Sequence, residues 1–143
     1  MCAQSALDYS WMDAVDDSGG VFITAEGLLM YLQPEQALDL IAQCAKRFPG
    51  GEMVFDLPPV WFSKLSRYGG LRPTLRYKVP AMPFSLSSAQ AADLARTVPG
   101  IRRVRKMPMA SGRGPLLRAA VSILYGAHFL DPLRPSMTLL EFG

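Results

Sequence analysis

The stretch VFITAEGLLMYLQPEQALDLIAQCAKRFPGGEMVFD, residues 21–56, decides which fold the sequence predicts. Residues 21–25 form a nearly continuous apolar run, which is typical of a strand covered on both faces. Pro34 opens a helical stripe of apolar side chains, and Pro49-Gly50-Gly51 ends it. Residues 52–56 form a second short strand. A strand, a helix and a strand within about 35 residues predict a βαβ unit, hence two parallel strands of an α/β sheet.

The rest of the chain adds further predicted elements around this unit. Residues 58–87 are rich in aromatic, proline and basic residues and are longer than an ordinary connection, which predicts a lid or substrate-binding insertion. The final strand is expected to pair antiparallel with its predecessor. The other predicted elements are a short helix or turn at 5–15, a helix capped by Ser87 or Ser88 and ending at Val98, strands at 101–107 and 136–142, and a helix at 115–130.

Composition indicates one soluble domain spanning residues 1–143, because half of the residues are hydrophobic and 19% are charged. No apolar run is long enough to cross a membrane, and the amino terminus lacks the pattern of a secretory signal, so a cytoplasmic location is expected. Cys2 and Cys44 are far apart and His128 is the only histidine. We therefore expect neither a disulfide framework nor a metal site, and we expect Cys44 to be buried as a small apolar residue.

Charge is unevenly divided along the chain. Residues 1–56 contain nine acidic and two basic side chains, whereas residues 57–143 contain three acidic and thirteen basic ones. Residues 102–106 form the one basic run, without interleaved aromatic residues or a recognised nucleic-acid-binding signature. We interpret this run as a solvated face or as an edge strand protected by charge, and we expect neither a nucleic-acid nor a membrane partner.

Two motifs resemble a known family: SALDYSW at residues 5–11 and AEGLLMYL at residues 25–32. Together with PAMPF at 80–84 and PSMTLLEFG at 135–143, they look like the leucine carboxyl methyltransferase-like family, in its branch of bacterial O-methyltransferases of polyketide biosynthesis. The resemblance implies the carboxy-terminal half of a class I, Rossmann-like fold that binds S-adenosylmethionine. It also implies methyl transfer to a carboxylate or hydroxyl oxygen of a small, polyketide-like molecule.

The same resemblance implies roles for particular residues. Leu7 and Asp8 would lie beside the adenine ring, where a carboxylate accepts from the exocyclic amino group. Glu26 and Gly27 would lie at the methionine end of the cofactor. Tyr31, Trp61 and Tyr68 are expected to face the substrate.

Each of these residues also has a purely structural interpretation. Asp8 can cap the helix that contains Trp11, and Glu26 can interact with a helix dipole. Tyr31, together with Met30, can belong to the core. Asp56 either faces the site or forms a turn, and the aromatic residues of the insertion either line a pocket or pack under a loop.

The glycine turn that cradles the middle of the cofactor has no counterpart in this sequence. Members of the family begin with roughly a hundred more residues than this sequence, and that part contains the glycine turn, so the chain is expected to be a truncated methyltransferase that does not bind the cofactor alone. The alternative is a catalytically inactive remnant or an interaction module of the same lineage. A half sheet has an open edge, and association through this exposed edge is expected.

Overall fold

The computed structural model describes residues 3–68, 79–107 and 135–143. These residues contain two short 3₁₀ helices, Tyr9–Ala14 and Leu29–Tyr31, among the strands and α-helices of a mixed α/β fold. The strands are β1 (Phe22–Ala25), β2 (Glu52–Leu57), β3 (Ile101–Met107) and β4 (Ser136–Phe142). The α-helices are α1 (Pro34–Arg47), α2 (Val60–Arg67) and α3 (Ser88–Thr97).

The four strands form one sheet in the order β1-β2-β4-β3. β1 and β2 are parallel, as the βαβ pattern predicts. β4 is antiparallel to β3, which confirms the expected pairing, and it is also antiparallel to β2. The last strand therefore lies inside the sheet, between β2 and β3, and Leu140 and Phe142 on it are completely buried.

β1 is only partly covered, so the prediction of a strand covered on both faces is wrong. Phe22 is 60% exposed and Thr24 is also exposed, whereas Ala25 is buried. The reason is position: β1 is at the edge of the sheet, and no other strand of the described ranges pairs with its outer side. An apolar run alone does not distinguish an edge strand from a central one.

Helix α1 covers the β1–β2 pair with the side chains that the helical stripe predicts. Its capping geometry includes a hydrogen bond from the Gln33 backbone N–H to Gln36 Oε1 at 3.1 Å. The inner face consists of five buried residues, namely Ala37, Leu40, Ile41, Cys44 and Ala45. Burial raises the pKa of the Cys44 thiol to about 11, so it is protonated at neutral pH and serves as a small apolar core residue.

Part of the insertion at 58–87 is helical, which the sequence pattern did not predict. Two buried serines of α2 hold the extended segment that follows residue 78: the Ser63 hydroxyl donates to the Met82 carbonyl at 2.6 Å, and Ser66 Oγ accepts from the Met82 N–H at 3.0 Å. Serine does not favour the interior of a helix, so its presence does not predict one. Here the two serines stabilise the fold through hydrogen bonds to another segment of the chain. Residues 69–78 of the insertion lie outside the described ranges.

The basic run lies on the other edge of the sheet, as the sequence predicts. β3 is exposed along most of its length, and Arg102 and Arg105 reach the buried carboxylate of Glu141 on β4, at 3.3 and 2.8 Å. Ser87 caps α3 by accepting from the Gln90 N–H at 3.2 Å, which confirms the predicted start of that helix. The predicted helix at 115–130 and His128 lie outside the described ranges.

Candidate functional site

The carboxyl ends of the two parallel strands lie side by side, with Ala25 opposite Phe55 in the ladder. In an open α/β sheet this edge is where ligands bind. The chain leaves β1 through a tight turn at Glu26 and Gly27, and Gly27 has a φ of +60°, a conformation that glycine adopts without strain. The neighbouring strand contributes Asp56, whose Oδ1 accepts a hydrogen bond from the Gly27 N–H at 2.7 Å.

Glu26 is an exposed carboxylate on this turn. Within the described ranges, neither a hydrogen bond nor a salt bridge engages its side chain. A carboxylate without a protein partner, next to a second acidic side chain on the adjacent strand end, favours a cationic ligand group by simple electrostatics. This geometry is compatible with the cofactor role that the resemblance implies for Glu26 and Gly27.

Asp8 has the structural role that the sequence offered as its alternative. It is the N-cap of the first 3₁₀ helix, and its Oδ1 accepts from the backbone N–H of Ser10 at 3.2 Å and from the Ser10 hydroxyl at 2.8 Å. The second oxygen, Oδ2, makes no hydrogen bond to any residue of the described ranges. A cap formed by one oxygen leaves the other free to accept from a ligand donor, so the two roles are compatible.

The first 3₁₀ helix is attached to α1, and this attachment sets the position of Leu7 and Asp8. The Tyr9 hydroxyl is 2.5 Å from Asp39 Oδ2, and partial burial together with this hydrogen bond raises the pKa of Tyr9 to about 12. The Trp11 ring packs against Phe48 with centroids 6.4 Å apart. Leu7 is half-buried against the same core, and the preceding residue, Ala6, lines a cleft of about 340 Å³ together with Trp11.

The residues proposed for the two ends of the cofactor are not bonded to one another among the described residues. No hydrogen bond or ion pair within the described residues connects Asp8 to Glu26 or Gly27. Asp39, which holds Tyr9, is five residues along α1 from Pro34, or about 7.5 Å of helix. The two acidic groups are therefore attached to different parts of the βαβ unit, Asp8 to the flank of α1 and Glu26 to the strand ends.

The three aromatic residues expected on the substrate side are all exposed. Tyr31, Trp61 and Tyr68 have exposed fractions of 47%, 46% and 87%. Met30 is buried, so the core interpretation holds for Met30 and is wrong for Tyr31. Trp61 and Tyr68 lie on the same side of α2 as Leu65, at a helical spacing of four and three residues, and this side faces outward.

Asp56 is the residue whose role the sequence left open. Its carboxylate does form a turn, as one interpretation proposed, but the turn belongs to the neighbouring strand, 29 residues earlier in the chain. The only sequence signal for this contact is an acid at one strand end and a glycine just after the other. That signal has meaning only when the strands are known to be parallel neighbours.

The described ranges contain neither a metal-binding cluster nor a membrane-spanning helix. Residues 3–68, 79–107 and 135–143 contain no group of three or more His, Cys, Asp and Glu side chains that could hold a metal ion. The same ranges contain no helix long and apolar enough to cross a membrane.

Fold and site together define a mixed α/β protein with a candidate ligand site at the carboxyl ends of two parallel strands. No family model matches the chain. The tetracenomycin polyketide synthesis O-methyltransferase TcmP of Streptomyces glaucescens is 24% identical over 102 residues, which are 71% of this chain and 36% of TcmP. An O-methyltransferase family protein from Burkholderia thailandensis aligns in structure over 98% of this chain and 34% of its own, with 13% identity and a TM-score of 0.48. The chain thus spans about a third of the length of these relatives.

Proposed function

We propose that this chain is part of an S-adenosylmethionine-dependent O-methyltransferase of the leucine carboxyl methyltransferase-like family. The observation that carries the proposal is the Glu26-Gly27 turn, braced by Asp56, at the carboxyl ends of two parallel strands. The sequence similarity to an O-methyltransferase over 71% of the chain supports it. The acceptor in this proposal is a carboxylate or hydroxyl oxygen of a small, polyketide-like molecule.

The residues present fit two ends of the cofactor. Glu26 has a carboxylate that no described residue engages and that suits the ammonium group of the methionine part, and Gly27 lets the backbone turn sharply beside it. Asp8 Oδ2 suits the adenine amino group, with Leu7 as an apolar surface against the ring. Among the described glycines, Gly20 precedes a strand and Gly50 and Gly100 end helices, so the phosphate-free middle of the cofactor requires a glycine turn from elsewhere.

The cofactor supplies an electrophilic methyl group on a sulfonium sulfur. Glu26 and Asp8 would hold the two ends of the cofactor, and the cofactor would supply its methyl group to an oxygen of the acceptor. The protein contributes mainly position. Tyr31 and Trp61 would present aromatic surfaces to the acceptor. Lys64 and Arg67, both exposed on α2, would attract an acidic one.

The proposal is tested by mapping where parts of the cofactor bind, using backbone amide shifts in NMR spectra. With S-adenosylmethionine we expect no calorimetric binding at about 1 mM, because no described residue is assigned to the middle of the cofactor. At higher concentration, methionine should shift the amides of Glu26 and Gly27, and adenosine should shift those of Leu7 and Asp8. Guanosine should not shift Leu7 and Asp8, because it has a carbonyl oxygen where adenosine has the amino donor.

A matched pair of variants controls this experiment. Glu26→Gln should raise the methionine concentration needed for these shifts about tenfold, whereas Glu35→Gln should leave it unchanged, since Glu35 is also an exposed acid, in the first turn of α1. Shifts that are scattered over the surface, or that respond equally to both variants, would contradict the methyltransferase site.

A second candidate function is an interaction module of the same lineage without catalytic activity. The observation that favours it is the open outer side of β1, where Phe22 is 60% exposed. An unpaired strand edge is a template for pairing with another chain, and we propose that copies associate there. Sedimentation should then show self-association that Phe22→Lys abolishes. A monomer at every protein concentration, up to about 0.1 mM, would argue against this function.

A further inference from the structure

One hydrogen bond links the two strand ends at the candidate site, and it comes from a side chain. Asp56 on β2 accepts the Gly27 N–H of the turn that follows β1, at 2.7 Å. A hydrogen bond to an ionised carboxylate is about twice as strong as one between neutral groups. Beyond the β1–β2 ladder, this is the bond that holds the turn among the described residues.

This hydrogen bond, which we call the brace, is required because few other contacts restrain the turn at Glu26 and Gly27. Glu26 and Gly27 are both exposed, and a Cβ placed on Gly27 would meet no atom within 4 Å. Gly27 has a positive φ and more accessible backbone conformations than any other residue type. Without a fixed N–H the turn would sample several shapes, and the Glu26 carboxylate would point in several directions.

Asp56 itself is firmly placed. It is half-buried in β2, opposite Met137 on the central strand β4. Leu57 and Pro58, which follow it, are buried, and Pro59 is the N-cap of α2. Asp56 therefore bonds the turn that contains Glu26, shortly precedes α2 in the chain, and belongs to a strand that is paired on both sides, with β1 and with β4.

We propose that Asp56 is a positioning residue that holds the Glu26-Gly27 turn in its binding shape, so that the Glu26 carboxylate is preorganised for the cationic end of the ligand. This inference rests on the proposed function for the identity of the ligand. The hydrogen bond between Asp56 and the Gly27 N–H does not depend on the identity of the ligand. Preorganisation raises affinity by removing the cost of ordering the turn on binding.

The brace is tested first without any ligand, by amide hydrogen exchange in the full chain. In Asp56→Ala, exchange of the Gly27 amide should accelerate at least about tenfold, while the amides of Ile23 and Val54 in the ladder keep their rates. Asp56→Asn retains an oxygen acceptor and should change the Gly27 rate much less. Asp93→Ala, at an exposed acid on α3, is the control and should leave Gly27 unchanged.

Two results would overturn the brace. The first is an unchanged Gly27 rate in Asp56→Ala. The second is an equal acceleration of Gly27, Ile23 and Val54, which would mean that the substitution only destabilises the sheet. Asp56→Ser is measured in parallel, because its shorter hydroxyl cannot span the same distance and gives the same reading if the alanine variant does not fold.

The positioning role is tested by a double-mutant cycle on methionine binding, measured by the amide shift of Gly27, which is present in all four chains. Asp56→Ala and Glu26→Gln should each weaken binding about tenfold, and the double variant should bind no more weakly than Glu26→Gln alone. Additive losses would show that Asp56 does not act through Glu26 and would overturn the positioning role. If methionine and adenosine shift no amide of the unaltered chain, the proposed function fails, whereas the exchange rates still decide whether Asp56 is the brace.

Discussion

Replacing Phe48 by alanine is expected to lower the free energy of unfolding by about 4 kcal/mol, as measured by urea denaturation. Phe48 is 2% exposed and follows directly after α1, where its N–H donates to the Cys44 carbonyl at 3.0 Å. Its ring packs against Trp11, and the Arg47 guanidinium lies 5.1 Å from the ring centroid. Removing the ring leaves a cavity between α1 and the first 3₁₀ helix, and both the burial and the packing are lost.

The control is Phe22→Ala, which removes the same atoms from a side chain that is 60% exposed on β1. We expect it to change the stability by no more than about 0.5 kcal/mol. Trp11 provides a local reading: in a Trp61→Phe background its emission should shift to longer wavelength in Phe48→Ala, because the indole becomes hydrated. Equal losses of stability in the two alanine variants would contradict this assignment of the core.

The consequence reaches the candidate site. Leu7 and Asp8 precede the 3₁₀ helix that Phe48 holds through Trp11, and Tyr9 anchors the same helix to Asp39. A chain in which Phe48→Ala is folded but Trp11 is released should lose the adenosine shifts at Leu7 and Asp8 while retaining the methionine shifts at Glu26. The adenine end and the methionine end should thus be separable by a single substitution in the core.

The second large effect is expected for Gly51→Ala, at the amino end of β2. A Cβ at Gly51 would lie 2.9 Å from the Val21 carbonyl oxygen and 3.0 Å from the Phe48 carbonyl oxygen. Both are backbone atoms, which cannot move aside as the end of a long side chain can. The Val21 carbonyl also accepts from the Glu52 N–H at 2.9 Å, so relief of the clash would stretch the start of the β1–β2 ladder. We expect a loss of about 3 kcal/mol in urea denaturation.

Gly19→Ala is the matched control for this substitution. A Cβ at Gly19 meets no atom within 4 Å, and its φ is not in the left-handed region. Its stability should therefore stay the same or rise by a few tenths of a kcal/mol, because alanine restricts the unfolded chain. A Gly51→Ala variant as stable as Gly19→Ala would mean that the approach of the Val21 and Phe48 carbonyls is looser than described.

The local elements were predictable where neighbours in sequence decide them. The apolar stripe from Ala37 to Phe48, with Pro34 at the first turn, is enough to place α1, and Ser87 three residues before Gln90 is enough to begin α3. Helix α2 was missed, because Ser63 and Ser66 face inward to bond Met82, whereas Trp61 and Tyr68 face outward. The apolar side chains Trp61 and Tyr68 therefore mark the exposed face of the helix. The buried serines are explained only by their hydrogen bonds to Met82, which is 16 residues beyond Ser66.

At the candidate site, too, some features follow from the local sequence and others only from the tertiary structure. The motif around Glu26 and Gly27 is legible in the sequence, and so is the possibility that Asp8 caps a helix. The exposure of Phe22 is not, because whether a strand is central or at an edge depends on which strands pair with it. The position of β4 between β2 and β3 is likewise a matter of pairing over more than 80 residues of chain.

By itself, the sequence determined that residues 21–56 form a strand, a helix and a parallel strand, since that follows from local periodicity and the handedness of the crossover. Only the tertiary structure decided that Asp56 holds the Gly27 N–H. The reason is that a hydrogen bond depends on distance and direction in space. The parallel register of β1 and β2 brings together two residues that are 29 positions apart in the chain, and no local pattern records that meeting.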